Sequence, residues 1–383
     1  MNELRERFEK DYADYLRDLE ALTNIDCGTY NKAGVDRVVA YVRGLADKFG
    51  LTIAEYPQKD FGDCLYLSVR GKGKARIFMI GHTDTVYPDG TVAQYPFRRA
   101  DGRILGPGSN DMKAGLLAGI YAIKALRDAG FDQLSELGLF VNSEEEIGSP
   151  VSRKVYPQIA RGADAALVLE SARANGDIVS GRKGSGTYHL RVAGKSAHAG
   201  VDPQKGANAI LALANYIVKV SALNHLREGL TVNVGVVSGG MRPNVVPDTA
   251  EAVVDLRVVQ PEDGAAFEEE LRAVVAQTYV PGTSATFSGS VSNPPMPKTA
   301  ASARLAEWAK QAATENGITL DDVFTGGASD GNMIAGQGVP VLDGLGPVGG
   351  HDHNAPEEYV IEDSIIPRVA MLARLIQLIG EKS

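Results

Sequence analysis

The stretch Ala75-Arg-Ile-Phe-Met-Ile80-Gly81-His82-Thr83-Asp84 decides how the first part of this chain folds. Residues 75–80 form a short apolar run, which predicts a buried strand, and the sequence turns polar directly after it. His82 and Asp84 are two residues apart, so an extended backbone places both side chains on the same side. One can bind a metal ion while the other accepts a hydrogen bond from the imidazole. A polar turn at the strand end is the other interpretation of this pair.

Helices and strands alternate around this stretch. Helical spacing of apolar residues predicts helices over residues 2–22, 35–49 and 113–127, and apolar runs predict strands over residues 137–141 and 165–169. Both of these strands end in acidic residues. Because open α/β sheets build their sites at the carboxyl ends of their strands, the pattern predicts an α/β domain with a polar site along that edge.

The pattern changes beyond residue 181. Alternating strands are predicted around a helix over residues 204–223, which indicates a small inserted α+β domain over residues 183–293. A proline-rich connection follows at residues 293–297, and the closing helices are predicted over 302–316 and 361–379. The main domain is therefore predicted to be discontinuous, with residues 1–182 and 294–383.

Composition narrows the class of protein. The chain has 383 residues and a formal charge of −9, with both signs interspersed, so we expect two domains and no nucleic-acid or membrane partner. The charged opening, residues 1–7, is not typical of a secretory signal, and no apolar run is long enough to span a bilayer. The only cysteines are Cys27 and Cys64, which favours a reducing, cytoplasmic location and excludes a thiolate zinc site.

Further acidic and histidine residues are candidates for the same site. Asp111 directly precedes a predicted helix, where a helix cap is the simpler interpretation. The run Glu144-Glu145-Glu146 follows a strand, and three adjacent carboxylates repel one another unless a cation compensates, although a solvated turn is the alternative. Glu170 ends another strand, and His353 lies near the C-terminus. Two Zn²⁺ ions would be balanced by three carboxylates and one hydroxide.

The order of these motifs resembles the zinc peptidase family that includes bacterial glutamate carboxypeptidase, aminoacylase, acetylornithine deacetylase and succinyl-diaminopimelate desuccinylase. The resemblance covers nearly the whole chain. It rests on the following segments: residues 81–86, 106–115, 144–149, 169–170, 196–200 and 353–359. It implies an α/β catalytic domain, with a mixed sheet flanked by helices, and an inserted ferredoxin-like domain that acts as a lid and forms a homodimer.

The resemblance also implies a site with two Zn²⁺ ions, for which Co²⁺ or Mn²⁺ are possible substitutes. His82, Asp111 and Glu170 would hold the first ion, and Glu146, His353 and the shared Asp111 the second. Asp84 would support His82, and Glu145 would be the general base. The bond between Asp111 and Met112 is expected to be cis. His351 is the alternative to His353, but the spacing to Glu358-Tyr359 favours His353.

Four residues of the second half are assigned by the same resemblance. His198 would stabilise the oxyanion, Arg257 and Asn244 would hold a substrate carboxylate, and the loop at Gly327 would contact the carboxylate end. A solvated arginine and a turn asparagine are the simpler interpretations of Arg257 and Asn244.

These assignments imply a metal-dependent hydrolase that cleaves an amide bond next to a free carboxylate, as a glutamate carboxypeptidase does. Its substrate would be a small peptide or an N-acyl amino acid. An N-acyl amino acid deacylase or desuccinylase of the same family is the alternative.

Two other classes of protein remain to be compared. Residues 181–187 are rich in glycine and suggest a nucleotide-binding loop, but they lead into a predicted strand, whereas a phosphate loop opens a helix. A catalytically silent metal-binding protein is disfavoured because Glu145 and all five proposed ligands are present.

Overall fold

The computed structural model describes residues 3–382, which form two compact units. Unit 1 is the described part of Met1–Gly181, Lys298–Thr325 and Ser329–Ser383, and unit 2 is Arg182–Pro297 with Gly326–Ala328. These limits are close to the predicted ranges 1–182, 183–293 and 294–383. That the two units are separate catalytic and lid domains stays a prediction.

Ten α-helices and sixteen strands occur within residues 3–382. The helices are α1 (Glu3–Thr23), α2 (Lys32–Lys48), α3 (Thr91–Gln94), α4 (Ala114–Asp128), α5 (Tyr156–Ile159), α6 (Ala209–Ser221), α7 (Asp263–Val275), α8 (Ala300–Glu315), α9 (Asp330–Ala335) and α10 (Ile365–Lys382). The strands are β1 (Thr52–Tyr56), β2 (Cys64–Arg70), β3 (Arg76–His82), β4 (Arg98–Ala100), β5 (Arg103–Leu105), β6 (Glu136–Asn142), β7 (Ala165–Val168), β8 (Ile178–Arg182), β9 (Gly184–Ala193), β10 (Thr231–Gly239), β11 (Thr249–Val258), β12 (Ser284–Asn293), β13 (Asp322–Thr325), β14 (Val341–Leu342), β15 (Gly349–Gly350) and β16 (Tyr359–Ile361).

The main sheet of unit 1 has six strands in the order β1-β2-β6-β3-β7-β14. Strands β6, β3, β7 and β14 are parallel to one another. Strand β2 pairs antiparallel with β6, and β1 pairs antiparallel with β2, so the sheet is mixed, as predicted. The central strand β3 is buried along nearly its whole length, which is expected for a parallel strand covered on both faces. A smaller antiparallel sheet, β15-β16-β5-β4, and the pair β13-β8 complete the unit.

A large apolar cluster in unit 1 receives side chains from both the helices and the main sheet. Helix α1 buries Leu4, Phe8, Tyr15 and Leu19 at helical spacing and leaves charged residues outside. Helix α4 is buried nearly all round because its sequence is almost entirely apolar. Since both α4 and β3 belong to this core, the loops at their ends are held in place by packing.

Unit 2 has the chain order βαββαβ, with its four antiparallel strands arranged β10-β11-β9-β12. This is the ferredoxin-like arrangement. Strand β9 alternates buried and exposed residues, so one face of the sheet packs in the core with helices α6 and α7. The chain enters this unit at Arg182 and leaves it at Met296, and the two residues exchange backbone hydrogen bonds of 2.9 and 3.0 Å.

The structure differs from the sequence-based expectations at two helix starts. Helix α6 begins at Ala209 instead of residue 204, because Pro203–Lys205 form a separate 3-10 turn and Asn208 caps the helix. Helix α10 begins at Ile365 instead of residue 361, because Tyr359–Ile361 pair with β5 as strand β16. Along residues 3–382, every helix is too short or too polar to cross a bilayer.

Candidate metal centre

The carboxyl ends of three neighbouring parallel strands deliver the candidate residues to one edge of the main sheet. Strand β3 ends at His82, which is in register with Asn142 at the end of β6. Glu144, Glu145 and Glu146 follow β6, and Glu170 comes two residues after β7. The sheet therefore brings together acidic residues that are far apart in the sequence, as an open α/β sheet does at its carboxyl edge.

His82 lies at the centre of this edge and its ring is fully buried. Its Nδ1 atom lies 3.0 Å from the backbone oxygen and 3.3 Å from Oδ1 of Asp84. Its Nε2 atom lies 3.0 Å from Oδ1 of Asp111 and 3.7 Å from Oε1 of Glu170. With Nδ1 donating to Asp84, Nε2 is left as a lone-pair donor directed at the carboxylates.

Asp84 connects His82 to the acidic run after β6. In addition to facing the imidazole, its carboxylate accepts hydrogen bonds from the backbone N–H groups of Glu145 and Glu146, at 3.1 and 3.3 Å. The hydroxyl of Thr29 donates to it as well, at 2.6 Å. One buried carboxylate thus fixes the first histidine and both candidate glutamates relative to each other.

Asp111 lies in an irregular turn before α4, and the Asp111–Met112 bond is cis, as predicted. The buried carboxylate of Glu358 shapes this turn: its Oε1 accepts hydrogen bonds from the N–H groups of Asn110 and Asp111, at 2.8 and 3.0 Å. Its Oε2 accepts from Gly108 N–H at 2.9 Å and from the hydroxyl of Tyr87 at 2.6 Å. Asp111 is therefore held by backbone contacts and its own carboxylate is available to the site.

His353 reaches the opposite side of Asp111. Its Nε2 atom lies 3.2 Å from Oδ2 of Asp111 and 3.3 Å from Oε2 of Glu146. His351, the alternative candidate, is exposed, and its Nδ1 atom lies 3.0 Å from Oε2 of Glu357. Between the two histidines, the structure brings His353 and not His351 to the acidic cluster.

The buried carboxylates of the cluster repel one another, so a bound cation would stabilise their ionised forms. Burial, followed by repulsion from Glu170, raises the pKa of Glu145 well above its ordinary value, and burial also raises the pKa of Glu146. Hydrogen bonds to Asp111 and Glu146 raise the pKa of His353 to about 10. Oε1 of Glu146 is buried, and the described residues offer it no hydrogen-bond partner. A cation at this position would satisfy that oxygen.

The donor spacing fits two divalent metal ions. Ligand atoms in a tetrahedral zinc site lie about 2.0–2.2 Å from the ion and therefore about 3.3–3.6 Å from one another. His82 is 3.0 and 3.7 Å from its two carboxylate oxygens, and His353 is 3.2 and 3.3 Å from its own. Asp111 takes part in both groups through different oxygens, so it can bridge. Glu145 also lies within reach, since its carboxylate, His82 and Glu170 have donor atoms within 4.8 Å of one another.

The candidate residues of unit 2 form a separate arrangement. The backbone of His198 pairs with Val245, and Ala199 N–H donates to the carbonyl of Asn244 at 3.0 Å, so His198 and Asn244 lie on neighbouring segments. Arg257 lies on β11 and binds Asp255 through two nitrogens, at 2.9 and 3.1 Å. The carbonyl of Gly327 accepts a hydrogen bond from Arg182 at 3.1 Å.

Two supporting residues escaped the sequence-based predictions. Glu358 belongs to the segment 353–359 that carries the family resemblance. Its carboxylate accepts hydrogen bonds from backbone N–H groups within residues 108–111, which lie about 250 residues away in the sequence. Arg368 is fully buried on α10, and its guanidinium donates to the carbonyls of Gly344, Gly346 and Gly176 at 2.5, 2.9 and 2.9 Å. A basic residue on an amphipathic helix is ordinarily predicted to be exposed, so no signal in the sequence indicated this contact.

Known proteins resemble this chain in sequence and in fold. Carboxypeptidase G2 from Pseudomonas sp. (strain RS-16) is 28% identical over 369 residues, which are 95% of this chain and 89% of that protein. Succinyl-diaminopimelate desuccinylase from Parvibaculum lavamentivorans (strain DS-1) is 30% identical over 305 residues, covering 74% of this chain and 75% of that protein. The solved structure of Bacillus subtilis YXEP, described as a dinuclear metal-binding peptidase from the M20 family, has a TM-score of 0.73 at 15% identity and covers 98% of this chain and 99% of its own.

A family assignment follows from the sequence profile that matches most of the chain. Residues 78–378 match Peptidase family M20/M25/M40. The matching segment includes all five proposed metal ligands, His82, Asp111, Glu146, Glu170 and His353. The predictions of an α/β metal-dependent hydrolase and of its family are confirmed. The chain belongs to Peptidase family M20/M25/M40.

Proposed function

We propose that this hydrolase removes a C-terminal amino acid, with glutamate as the first candidate, from a small peptide or an N-acyl amino acid. The scissile bond would be the amide next to the free carboxylate. The observation that carries the proposal is the pair of donor groups that share Asp111, with Glu145 beside them. We infer that His82, Asp111 and Glu170 hold one zinc ion and that Asp111, Glu146 and His353 hold the other.

Metal ions bound there supply Lewis acidity, which acidifies water and polarises the scissile carbonyl. Glu145 is the general base of the proposal, and its partial burial supports that role because a catalytic carboxylate needs a pKa above its ordinary value. Glu145 takes a proton from the attacking water and returns it to the leaving amine. Asp84 keeps His82 in the tautomer with the proton on Nδ1, through the contacts at 3.0 and 3.3 Å.

Four residues of unit 2 complete the proposed reaction. His198 is exposed, so its imidazole is accessible to a substrate, and we assign it to the oxyanion. Arg257 is assigned to the substrate carboxylate because a guanidinium binds carboxylates through two nitrogens, and the substrate would replace Asp255 in this contact. Asn244 and Gly327 would contact the same end of the substrate.

We further propose that the protein is a homodimer that associates through unit 2. Several large apolar side chains are exposed on α6 and on the edge strand β10, which is uncommon for a surface in contact with water. They are Ile210, Leu211, Val218, Val236 and Val237. Replacing Leu211 and Val218 with Asp should convert a dimer to a monomer in analytical ultracentrifugation. A wild-type monomer at micromolar concentration would contradict this part of the proposal.

A cytoplasmic location is also part of the proposal. It is supported by Cys27 and Cys64, which are both buried and unpaired.

The test of the activity is a screen of zinc-loaded protein against dipeptides and N-acyl amino acids, with the released amino acid measured. Glu145→Gln should lower kcat at least about 10³-fold while metal content stays at the wild-type value, because base catalysis and positioning are lost together. Glu55→Gln is the control, since Glu55 is exposed on strand β1 and its carboxylate lies 2.7 Å from Nη1 of Arg43. Full activity in Glu145→Gln would show that another group is the base.

A further inference from the structure

A cavity of about 250 Å³ lies in unit 1, and none of the proposed metal ligands or substrate contacts lines it. Three parts of the chain form its walls: residues 174–176, residues 318–319 and several residues between 348 and 368. All three parts belong to unit 1. The cavity is therefore a feature of this unit alone, and the chemistry of its walls determines what it binds.

Arg368 brings a buried positive charge to this cavity. It is only 2% exposed, and burial lowers the pKa of its guanidinium to about 10, against the opposite effect of Asp177. The group is therefore charged at pH 7. No described carboxylate forms an ion pair with it, and the carboxylate of Asp177 accepts hydrogen bonds from Asn175 and from Asp321 N–H. Because a buried cation without an ionic partner is costly, an anion beside Arg368 would stabilise the folded protein.

The guanidinium of Arg368 also keeps hydrogen-bond donors for a ligand. Of its five N–H groups, three donate to carbonyls: Nε to Gly346, Nη1 to Gly176 and Nη2 to Gly344. One N–H group therefore remains on Nη1 and one on Nη2. A carboxylate accepts two hydrogen bonds from one guanidinium in this way. Thr319, which is exposed and lines the cavity, has a hydroxyl that suits a third.

The other walls of the cavity are largely apolar. Ile318, Val348, Ile361 and Pro367 line it, and each of them is half-buried. The volume of about 250 Å³ lies below the range of about 300–1,000 Å³ that is usual for drug-sized ligands. A single cationic group among apolar walls suits a small molecule with one carboxylate and a short aliphatic chain. An inorganic anion would leave the apolar walls without contacts.

Backbone contacts connect this cavity to Glu170. Arg368 donates to the carbonyl of Gly346 at 2.9 Å, and Gly346 N–H donates to the carbonyl of Glu170 at 2.8 Å. A parallel β-bridge also joins Ala172, two residues after Glu170, to Val348, which lines the cavity. A ligand that fixes Arg368 should therefore restrict the segment that carries Glu170.

We propose that this cavity binds a small aliphatic carboxylate through Arg368, and that the bound ligand strengthens metal binding at Glu170. The first part is independent of the reaction assigned to the protein. The second part rests on the proposed function, which makes Glu170 a zinc ligand. Since coupling between two binding sites is reciprocal, zinc should strengthen carboxylate binding by the same factor.

The first part is tested by equilibrium dialysis of the metal-free, full-length protein with radiolabelled acetate, propionate and butyrate. Each added methylene group should tighten the Kd about 3- to 4-fold, because it moves apolar surface out of water. 1-Butanol has a similar chain without the charge, so it should compete with butyrate at least about 10-fold more weakly than unlabelled butyrate does. An affinity that does not change with chain length, or equal competition by 1-butanol, would overturn the inference.

Thr319→Phe places a larger side chain in the cavity and leaves the three carbonyl contacts of Arg368 in place, so it should abolish butyrate binding. Thr314→Phe is the matched control, because Thr314 is exposed on α8 in the same unit and does not line the cavity. It should bind butyrate as the wild type does. Urea unfolding of both variants at the wild-type midpoint checks that the fold is kept. Butyrate that binds folded Thr319→Phe as tightly as the wild type occupies another site, which would overturn the inference. If Thr319→Phe does not fold, the wild-type chain-length series decides.

The second part is tested by zinc titration with and without saturating butyrate, in the wild type and in Thr319→Phe. The variant corrects for direct contact between butyrate and zinc. In the wild type, one of two zinc-binding events should tighten at least about 5-fold, and in the variant neither should change. Equal zinc affinities with and without butyrate would overturn the link to Glu170. A protein that binds no zinc would instead contradict the proposed function, while the dialysis result for the cavity would stand.

Discussion

Replacing Arg368 with Lys should destabilise unit 1 although the charge is kept. The three guanidinium nitrogens of Arg368 each donate to a different carbonyl, those of Gly344, Gly346 and Gly176. A lysine ammonium is a single point and cannot reach three carbonyls that a planar fork serves separately. One or two buried carbonyls would lose their hydrogen-bond donor, and each unsatisfied carbonyl costs about 1–3 kcal/mol. The free energy of unfolding should therefore fall by about 2–4 kcal/mol.

The same substitution should affect the metal centre through the backbone. Gly346, one of the carbonyls bound by Arg368, donates its N–H to the carbonyl of Glu170 at 2.8 Å. A Cβ on Gly346 would lie 2.9 Å from that same carbonyl oxygen, which shows how closely this turn packs against Glu170. Movement of the turn would displace Glu170 but not Glu146 or His353. We expect one of two zinc-binding events to weaken by about 3- to 10-fold, less than the 10- to 100-fold for loss of a direct partner.

The assay is urea unfolding of metal-free protein, followed by the fluorescence of Trp308, which is the only tryptophan and lies on α8 in unit 1. Zinc titration of the folded protein measures the second effect. Arg374→Lys is the control, since Arg374 is on the same helix but pairs with Glu315 and Glu381 near the surface. Its expected effect is below about 1 kcal/mol. If Arg368→Lys is no less stable than Arg374→Lys, the carbonyl contacts do not support the turn as argued.

Three further changes test other contacts. Asp84→Asn removes the carboxylate that faces Nδ1 of His82, so zinc affinity in a competition titration should fall about 10- to 100-fold; an unchanged affinity would show that this contact does not orient the imidazole. Burial acts to raise the pKa of Asp322, but hydrogen bonds from Lys298, Ser180 and Lys310 prevail and lower it to about 2. Because this pKa lies below the unfolded value of about 3.9, the contribution is present above pH 4 and is lost as the pH falls through 2. Asp322→Asn should therefore cost about 2 kcal/mol at pH 7 in urea unfolding and progressively less as the pH falls through 2, and a pH-independent cost would contradict the assignment. Gly115→Ala would place a Cβ 1.9 Å from the carbonyl oxygen of Leu169 and should cost about 1–3 kcal/mol in thermal or urea unfolding. Gly44→Ala meets nothing within 4 Å in α2 and should instead stabilise by about 0.5–1 kcal/mol, so equal effects of the two would refute the steric argument.

The parts of the fold with strong local patterns were predictable from the sequence. Strands β3, β6 and β7 carry continuous apolar runs, and helix α4 carries a helical pattern. The type and order of these elements, and the acidic residues after β6 and β7, could therefore be predicted from the local sequence. The short strands β15 and β16 have only two and three residues, too few to show any periodicity. They form because their partners along the sheet are supplied by distant segments.

The residues of the candidate site also differ in whether the sequence could predict their roles. The five proposed ligands follow strand ends or recognisable motifs, and the structure brings them together. Glu358 and Arg368 act on backbone groups that lie about 250 and up to 192 residues away in sequence. Such contacts depend on how the elements pack, and a single sequence carries no local trace of them. The bidentate contact of Arg257 with Asp255 was likewise not foreseen, although the two residues are only two apart.

The backbone pairing of Arg182 with Met296 makes the inserted segment a separable module of the chain. Entry and exit of the inserted segment are adjacent, so a short linker in place of residues 183–295 would reconnect the chain without stretching it. Every proposed metal ligand lies outside that segment. The proposed metal ligands and the proposed substrate contacts of His198, Asn244 and Arg257 would therefore be encoded in separable stretches of sequence, and recombination could exchange one set while leaving the other unchanged.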